Sequence, residues 1–161
     1  MDSQGTGLLV LGLGNPILRD DAAGLHATRQ ARVAVGEGAA TFVERCIGGY
    51  DLLYETTDYQ ALLVVDAWYG PGSVPGRVQV LSADDLGARD APLSAHSLNL
   101  PAALELGRRH GYPVPELLGA VVIEVGEACR EFGEELTEPV AAAVPVAASH
   151  IRQLVEGWSP P

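Results

Sequence analysis

Hydrophobic positions along the chain come in two kinds of run. Leu8–Leu11 (LLVL), Ala61–Asp66 (ALLVVD) and Leu117–Val125 (LLGAVVIEV) are unbroken or nearly unbroken apolar stretches. Runs of this kind suit strands buried on both faces of a parallel sheet. Ala40–Cys46 (ATFVERC), with β-branched and aromatic residues, predicts a further short strand. Arg77–Leu81 (RVQVL) alternates instead, as a half-exposed strand does at an edge or in antiparallel pairing.

Between these runs the apolar spacing changes to three and four. Ala22–Val35 carries Leu25, Thr28, Ala31, Arg32 and Val35 at helical intervals and stops at Gly36 and Gly38. Gly48-Gly49 leads into a short helix, Tyr50–Thr57. Gly70-Pro71-Gly72 and Pro75-Gly76 punctuate a connection, and Ser82–Ala95 reads as a polar, irregular loop. Leu98–His110 is helical, with Leu100, Ala103, Leu104 and Gly107 on one side.

Thr137-Glu138-Pro139 has the form of a helix start: a hydroxyl at the N-cap, an acid in the first turn, and a proline whose missing N–H does no harm there. Val140, Ala143, Val144, Ala147, Ile151, Leu154 and Val155 follow on one amphipathic face. Pro145 falls inside this helix and is expected to kink it, at about 3 kcal/mol in an unstrained helix. Alternating strands and helices without an internal repeat predict one α/β domain over residues 1–161. The expected architecture is a three-layer α/β/α sandwich, phosphorylase/hydrolase-like, around a mostly parallel twisted sheet of about five strands.

Composition narrows the chemistry. A net charge of −11 argues against nucleic acid as a partner, because phosphate binding needs a basic face. No apolar run reaches the roughly 20 residues of a membrane span. The opening MDSQGTG has neither the basic start nor the apolar core of a signal peptide. The two cysteines, Cys46 and Cys129, have no CxxC spacing, which argues against a disulfide framework or a cysteine zinc site. The expected setting is the cytoplasm.

Three polar residues stand just after a predicted strand or in a loop leading to a helix: Asp21, Asp66 and His96. The carboxyl ends of parallel strands share one edge, where residues distant in sequence converge. Two carboxylates and an imidazole form a reasonable site for a divalent transition metal. Each also has a plainer reading: Asp66 as a cap, Asp21 as the N-cap of the following helix, His96 as a surface histidine. Asp20 reads as a solvated residue that shapes the turn. His26, His110 and His150 lie on helical segments without a ligand partner and read as structural or exposed. Cys46, at a strand end, reads as a small buried hydrophobe rather than a nucleophile.

Gly12-Leu13-Gly14 lacks the third glycine of a dinucleotide fingerprint, and the adjacent aspartates would repel a pyrophosphate. The string GLGNP also opens peptidyl-tRNA hydrolases. That family continues into a Thr-Arg-His-Asn segment, for which Ala27-Thr28-Arg29-Gln30 is a poor match.

Four ordered motifs resemble another family, the hydrogenase maturation endopeptidases. Gly12–Gly24 matches that family's Gly-x-Gly-Asn followed by an acidic pair and a glycine. Leu62–Ala67 matches its strand ending Asp-Ala, with Pro71-Gly72 behind it. Ser94-Ala95-His96 matches its Ser-x-His, and Gly133-Glu134-Glu135-Leu136-Thr137 its closing Gly-x-x-Leu-Ser/Thr. Cys46-Ile47 departs from the family's Gly-Thr, which leaves the contribution of Glu44 open, and the first acid is an aspartate where some members have glutamate.

The resemblance implies an endopeptidase, of a kind often classed as aspartic-type, that trims the C-terminal tail of a nickel-containing hydrogenase large-subunit precursor and so activates it. It assigns the catalytic and metal-contacting roles to Asp21, Asp66 and His96. It also implies that the nickel belongs to the precursor, with no permanently bound cofactor and no membrane insertion. A neutral His96 is needed for ligation, so binding is expected to weaken at low pH. The same residues would serve a non-catalytic nickel-sensing chaperone or binding module, and a small-molecule enzyme is a third, weaker reading.

Overall fold

A computed structural model describes residues 7–88 and 100–161. Five strands, β1 (Leu8–Leu13), β2 (Thr41–Arg45), β3 (Ala61–Trp68), β4 (Val78–Ser82) and β5 (Glu116–Glu124), form one sheet in the order β2-β1-β3-β5-β4. The first four neighbours in that order run parallel, and β4 closes the far edge antiparallel to β5. The alternating run at 77–81 is thus an antiparallel edge strand, as its pattern predicted.

The helices are α1 (Ala23–Val35), α2 (Asp51–Thr56), α3 (Ala83–Gly87), α4 (Leu100–Arg109) and α5 (Glu138–Gly157). Strand side chains alternate between two separate cores. Leu8, Val10, Leu63, Val65, Val121 and Ile123 pack with α1 and α5, through Ala23, Ala27, Val140, Ala147 and Ile151. Leu9, Leu11, Leu13, Leu62, Val64 and Val122 pack with α2 and α4, through Leu52, Leu100 and Leu104. Each fully buried side chain of this size contributes about 1.5–3 kcal/mol, so the continuous apolar runs of β1 and β3 hold the three layers together.

Two local expectations are corrected. The irregular loop over Ser82–Ala95 begins as a strand end and then α3. There Ser82 Oγ accepts the Asp85 N–H (3.1 Å) and Asp85 Oδ2 accepts the Ser82 N–H (2.8 Å), a capping box that overrides the polar composition. Residues 89–95 of that loop and residues 98–99 of the predicted helix lie outside the described residues. Thr137 occupies the N-cap position of α5, but its side chain does not cap the helix. Its hydroxyl is engaged elsewhere. Pro145 lies inside α5, as its sequence position predicts, on the exposed face, where the missing backbone hydrogen bond faces water.

Candidate functional site

At the carboxyl edge of the sheet, β1 gives way to Gly14-Asn15-Pro16 and then to a single 3₁₀ turn, Arg19–Ala22, that leads directly into α1. This turn lies against β3 as well as α1. Gly14 is required by proximity: it has φ +155°, and a Cβ there would collide with the Asp21 carbonyl oxygen. The loop folds back tightly enough for the Asn15 N–H to donate to Asp21 Oδ2 at 2.8 Å. Asn15 Oδ1 accepts the Ile17 N–H (3.1 Å), and the Asp21 N–H donates to the Leu18 carbonyl (2.9 Å). Asp21 is therefore half-buried and oriented by the loop. It does not cap α1, whose start has no side-chain cap.

Asp66 lies near the end of β3 and is completely buried, at 0% exposure. It follows Leu62 and Val64 at the two-residue strand period, which places it on the sheet face covered by α2 and α4. A buried carboxylate needs hydrogen bonds or a cation to offset its lost hydration, and the Ala67 N–H donates to Oδ1 at 2.8 Å. The Asp21 loop and the Asp66 strand approach closely because Gly24 stands at the start of α1. A Cβ at Gly24 would lie 2.7 Å from the Val65 carbonyl oxygen and 2.9 Å from the Asp66 Cα.

Asp20 departs from its expected solvated setting. It is buried, at 1% exposure, and its two carboxylate oxygens accept the Thr137 N–H and the Thr137 hydroxyl, each at 2.7 Å. The adjacent Arg19 has φ +35°, rare for a residue with a side chain. Its N–H donates to the Gly133 carbonyl (2.9 Å), its Nε to the Glu135 carbonyl (3.2 Å), and its Nη1 pairs with Glu131 (2.8 Å). The Gly133 N–H in turn donates to the Ile17 carbonyl at 2.9 Å. The segment before α5 is thus bound to the Asp21 loop along its whole length.

His96, the third expected site residue, lies outside the described residues. Among the described residues no three His, Cys, Asp or Glu side chains gather into a metal-holding group. The structure therefore places Asp21 and Asp66 at one sheet edge, and His96 precedes α4, which packs on the same face as Asp66.

Glu44 is held by Arg29, with Nη2 to Oε2 at 2.6 Å and Nε to Oε1 at 3.3 Å. Nearby His26 is half-buried; burial and then the Arg29 charge hold its imidazole below the ordinary histidine range, against the opposing pull of Glu44. Cys46 is exposed rather than buried, because β2 ends one residue earlier and it lies past the covered edge. Cys129, in a second 3₁₀ turn (Glu127–Arg130) packed against the Arg19–Ala22 turn, is half-buried. Burial first, then the negative charge of Asp21, pushes its thiol up from the ordinary range.

Sequence reasoning did not single out Glu124, although it stands at the end of a strand beside the same edge. It is fully buried, at 0% exposure, and accepts hydrogen bonds from Arg77 Nε (2.6 Å), the Val74 N–H (2.7 Å) and Gln79 Nε2. Burial alone would raise its carboxyl, but these donors outweigh it and hold the group below the ordinary glutamate range. The signal was present in the acid that ends an otherwise apolar run, VVIE, the same pattern that drew attention to Asp66.

A family model described as hydrogenase maturation protease (HycI) matches residues 30–154, more than three-quarters of the chain. The match includes Asp66, His96 and the Gly133–Thr137 segment; Asp21 precedes it. The fold is similar to that of the hydrogenase maturating endopeptidase HybD from E. coli, with a TM-score of 0.73 and 22% identity over 92% of this chain and 91% of that one. It is also similar to the [NiFe] hydrogenase maturation protease HybD from Thermococcus kodakarensis, with a TM-score of 0.65 and 22% identity over 92% and 98% of the two chains. A maturation protease HycI from Thermococcus kodakarensis KOD1 aligns with a TM-score of 0.64 and 19% identity over 96% of each chain. No curated protein sequence matches.

Proposed function

Because this chain belongs to the hydrogenase maturation protease family, we propose that it removes the C-terminal tail of a nickel-containing hydrogenase large-subunit precursor once nickel has been inserted. The observation that carries the site assignment is the approach of the Asp21 loop to buried Asp66 at the carboxyl ends of adjacent strands β1 and β3, with Gly14 and Gly24 making room. Crevices at this edge are where open α/β sheets bind ligands.

In this reading Asp21 and Asp66, with His96, take hold of the precursor's nickel. Oxygen and imidazole donors are hard or borderline ligands that suit such a divalent ion. Three protein ligands leave coordination positions for the precursor's own groups, so the metal registers the scissile peptide without becoming a resident cofactor. Hydrolysis then needs a water nucleophile, a base to take its proton and a polarised carbonyl; a site carboxylate supplies the base. The setting that goes with this reading is the cytoplasm. Among the described residues no helix is long and apolar enough to cross a membrane.

Incubating the purified protein with nickel-loaded precursor tests this reading. A precursor shortened at its C-terminus, seen by intact mass, supports it; a stable complex without cleavage would instead indicate the binding-module alternative, which nothing in the family match favours.

A further inference from the structure

We infer that Asp20 and Thr137 form a positioning clamp that sets the geometry of Asp21 from the far end of the chain. The inference rests on the reading of Asp21 as a site residue. Its own observations are separate: a carboxylate at 1% exposure, one residue before Asp21, is satisfied on both oxygens by a single residue 117 positions away. Thr137 stands at the N-cap of α5, where a hydroxyl ordinarily accepts a helix N–H. Here it gives up that bond and donates to Asp20 instead, while its own N–H does the same. The negative carboxylate thereby sits beside the amino end of a 20-residue helix, where such a charge is favoured.

The clamp acts on Asp21 through the backbone. Asp20 and Asp21 share the 3₁₀ turn, Arg19 on its other side is held in a left-handed conformation, and Gly133 pairs with Ile17 and Arg19. The Asn15 N–H to Asp21 Oδ2 bond depends on that turn keeping its place against Gly14. Residues that orient a metal-contacting side chain in this way typically change affinity or activity about 10–100-fold when lost.

Three full-length variants test it: Thr137→Val and Thr137→Ala remove the hydroxyl donor but keep the N–H, and Thr137→Ser restores the donor. The first readout needs no substrate: amide hydrogen exchange of Asn15 and Asp21 relative to Val10 in β1. The clamp predicts about tenfold faster exchange at Asn15 and Asp21 in whichever of the valine and alanine variants folds, the order expected when a hydrogen bond to a charged group that holds a turn closed is lost. Exchange at Val10 should stay unchanged, and Thr137→Ser should return the other two amides toward wild type. The second readout is trimming of nickel-loaded precursor below the unfolding temperature, where the clamp predicts kcat/KM lowered about 10–100-fold. Unchanged exchange at Asn15 and Asp21 overturns the clamp, as does unchanged kcat/KM or failure of Thr137→Ser to restore it. If Asp66→Asn retains full trimming, the site reading itself fails, whereas loss there with an unaffected Thr137→Val sinks only the clamp.

Discussion

Gly24 in α1 stands so close to Asp66 in β3 that a Cβ on the glycine would come within 2.9 Å of the Asp66 Cα. The helix carrying the Asp21 turn can approach the strand carrying Asp66 only because this position has no side chain. Gly24→Ala is expected to force α1 away from the ends of β1 and β3. The contacts are with backbone atoms, which cannot swing aside, so overpacking should cost about 1–3 kcal/mol. Thermal unfolding should show the loss. Trimming at a temperature where the variant remains folded should fall further than that loss of folded protein explains.

Glu124 makes stability depend on acid. Its folded-state carboxyl is held below the ordinary glutamate range, so the unfolded chain binds its proton more readily than the native one. The stabilisation is present above the ordinary glutamate range and is lost as pH falls through that range toward the lower folded value. Glu124→Gln should cost about 1–3 kcal/mol at neutral pH, since hydrogen bonds to a charged group are weakened. It should also flatten the decline of stability between neutral and acid pH, measured by urea unfolding at a series of pH values.

The two thiols should react at different rates. Cys46 is exposed, whereas Cys129 is half-buried and its thiol is pushed up by burial and by the charge of Asp21. Because the thiolate is the reactive form, a maleimide at neutral pH should modify Cys46 in a fast phase and Cys129 much more slowly. Cys46→Ser should remove the fast phase, with peptide mapping by mass spectrometry as the check.

Pro145 lies on the exposed face of α5, in the middle of an otherwise regular 20-residue helix. Pro145→Ala restores a backbone donor and a favourable helix residue without disturbing the buried face. It should raise stability by up to about 3 kcal/mol, visible as a higher midpoint in urea, with trimming unaffected.

Much of this molecule could be read from its sequence because local pattern and tertiary setting agree. The unbroken runs of β1, β3 and β5 are buried on both faces, and the alternating Arg77–Leu81 stretch does form the antiparallel edge. Strand-end placement pointed to Asp21 and Asp66 for the same reason: parallel strands deliver their carboxyl ends to one edge. What pattern could not convey was long-range pairing. Nothing near Asp20 announces that its partner is Thr137, and nothing near Thr137 shows that its hydroxyl leaves the helix it would otherwise cap. Glu124 was passed over because its partners Val74, Arg77 and Gln79 reach it only through the register of β4 with β5. The capping box at Ser82 and Asp85 was legible in principle, but a five-residue helix is too short to show periodicity.

Asp66, at the buried end of β3, is central to the proposed peptidase site. Intact-mass analysis of nickel-loaded precursor incubated with Asp66→Asn tests its place there most directly, with circular dichroism confirming that the variant is folded. The expected result is a folded protein that leaves the precursor at full length while the wild-type chain shortens it. A folded Asp66→Asn that shortens the precursor at the wild-type rate would contradict the assignment.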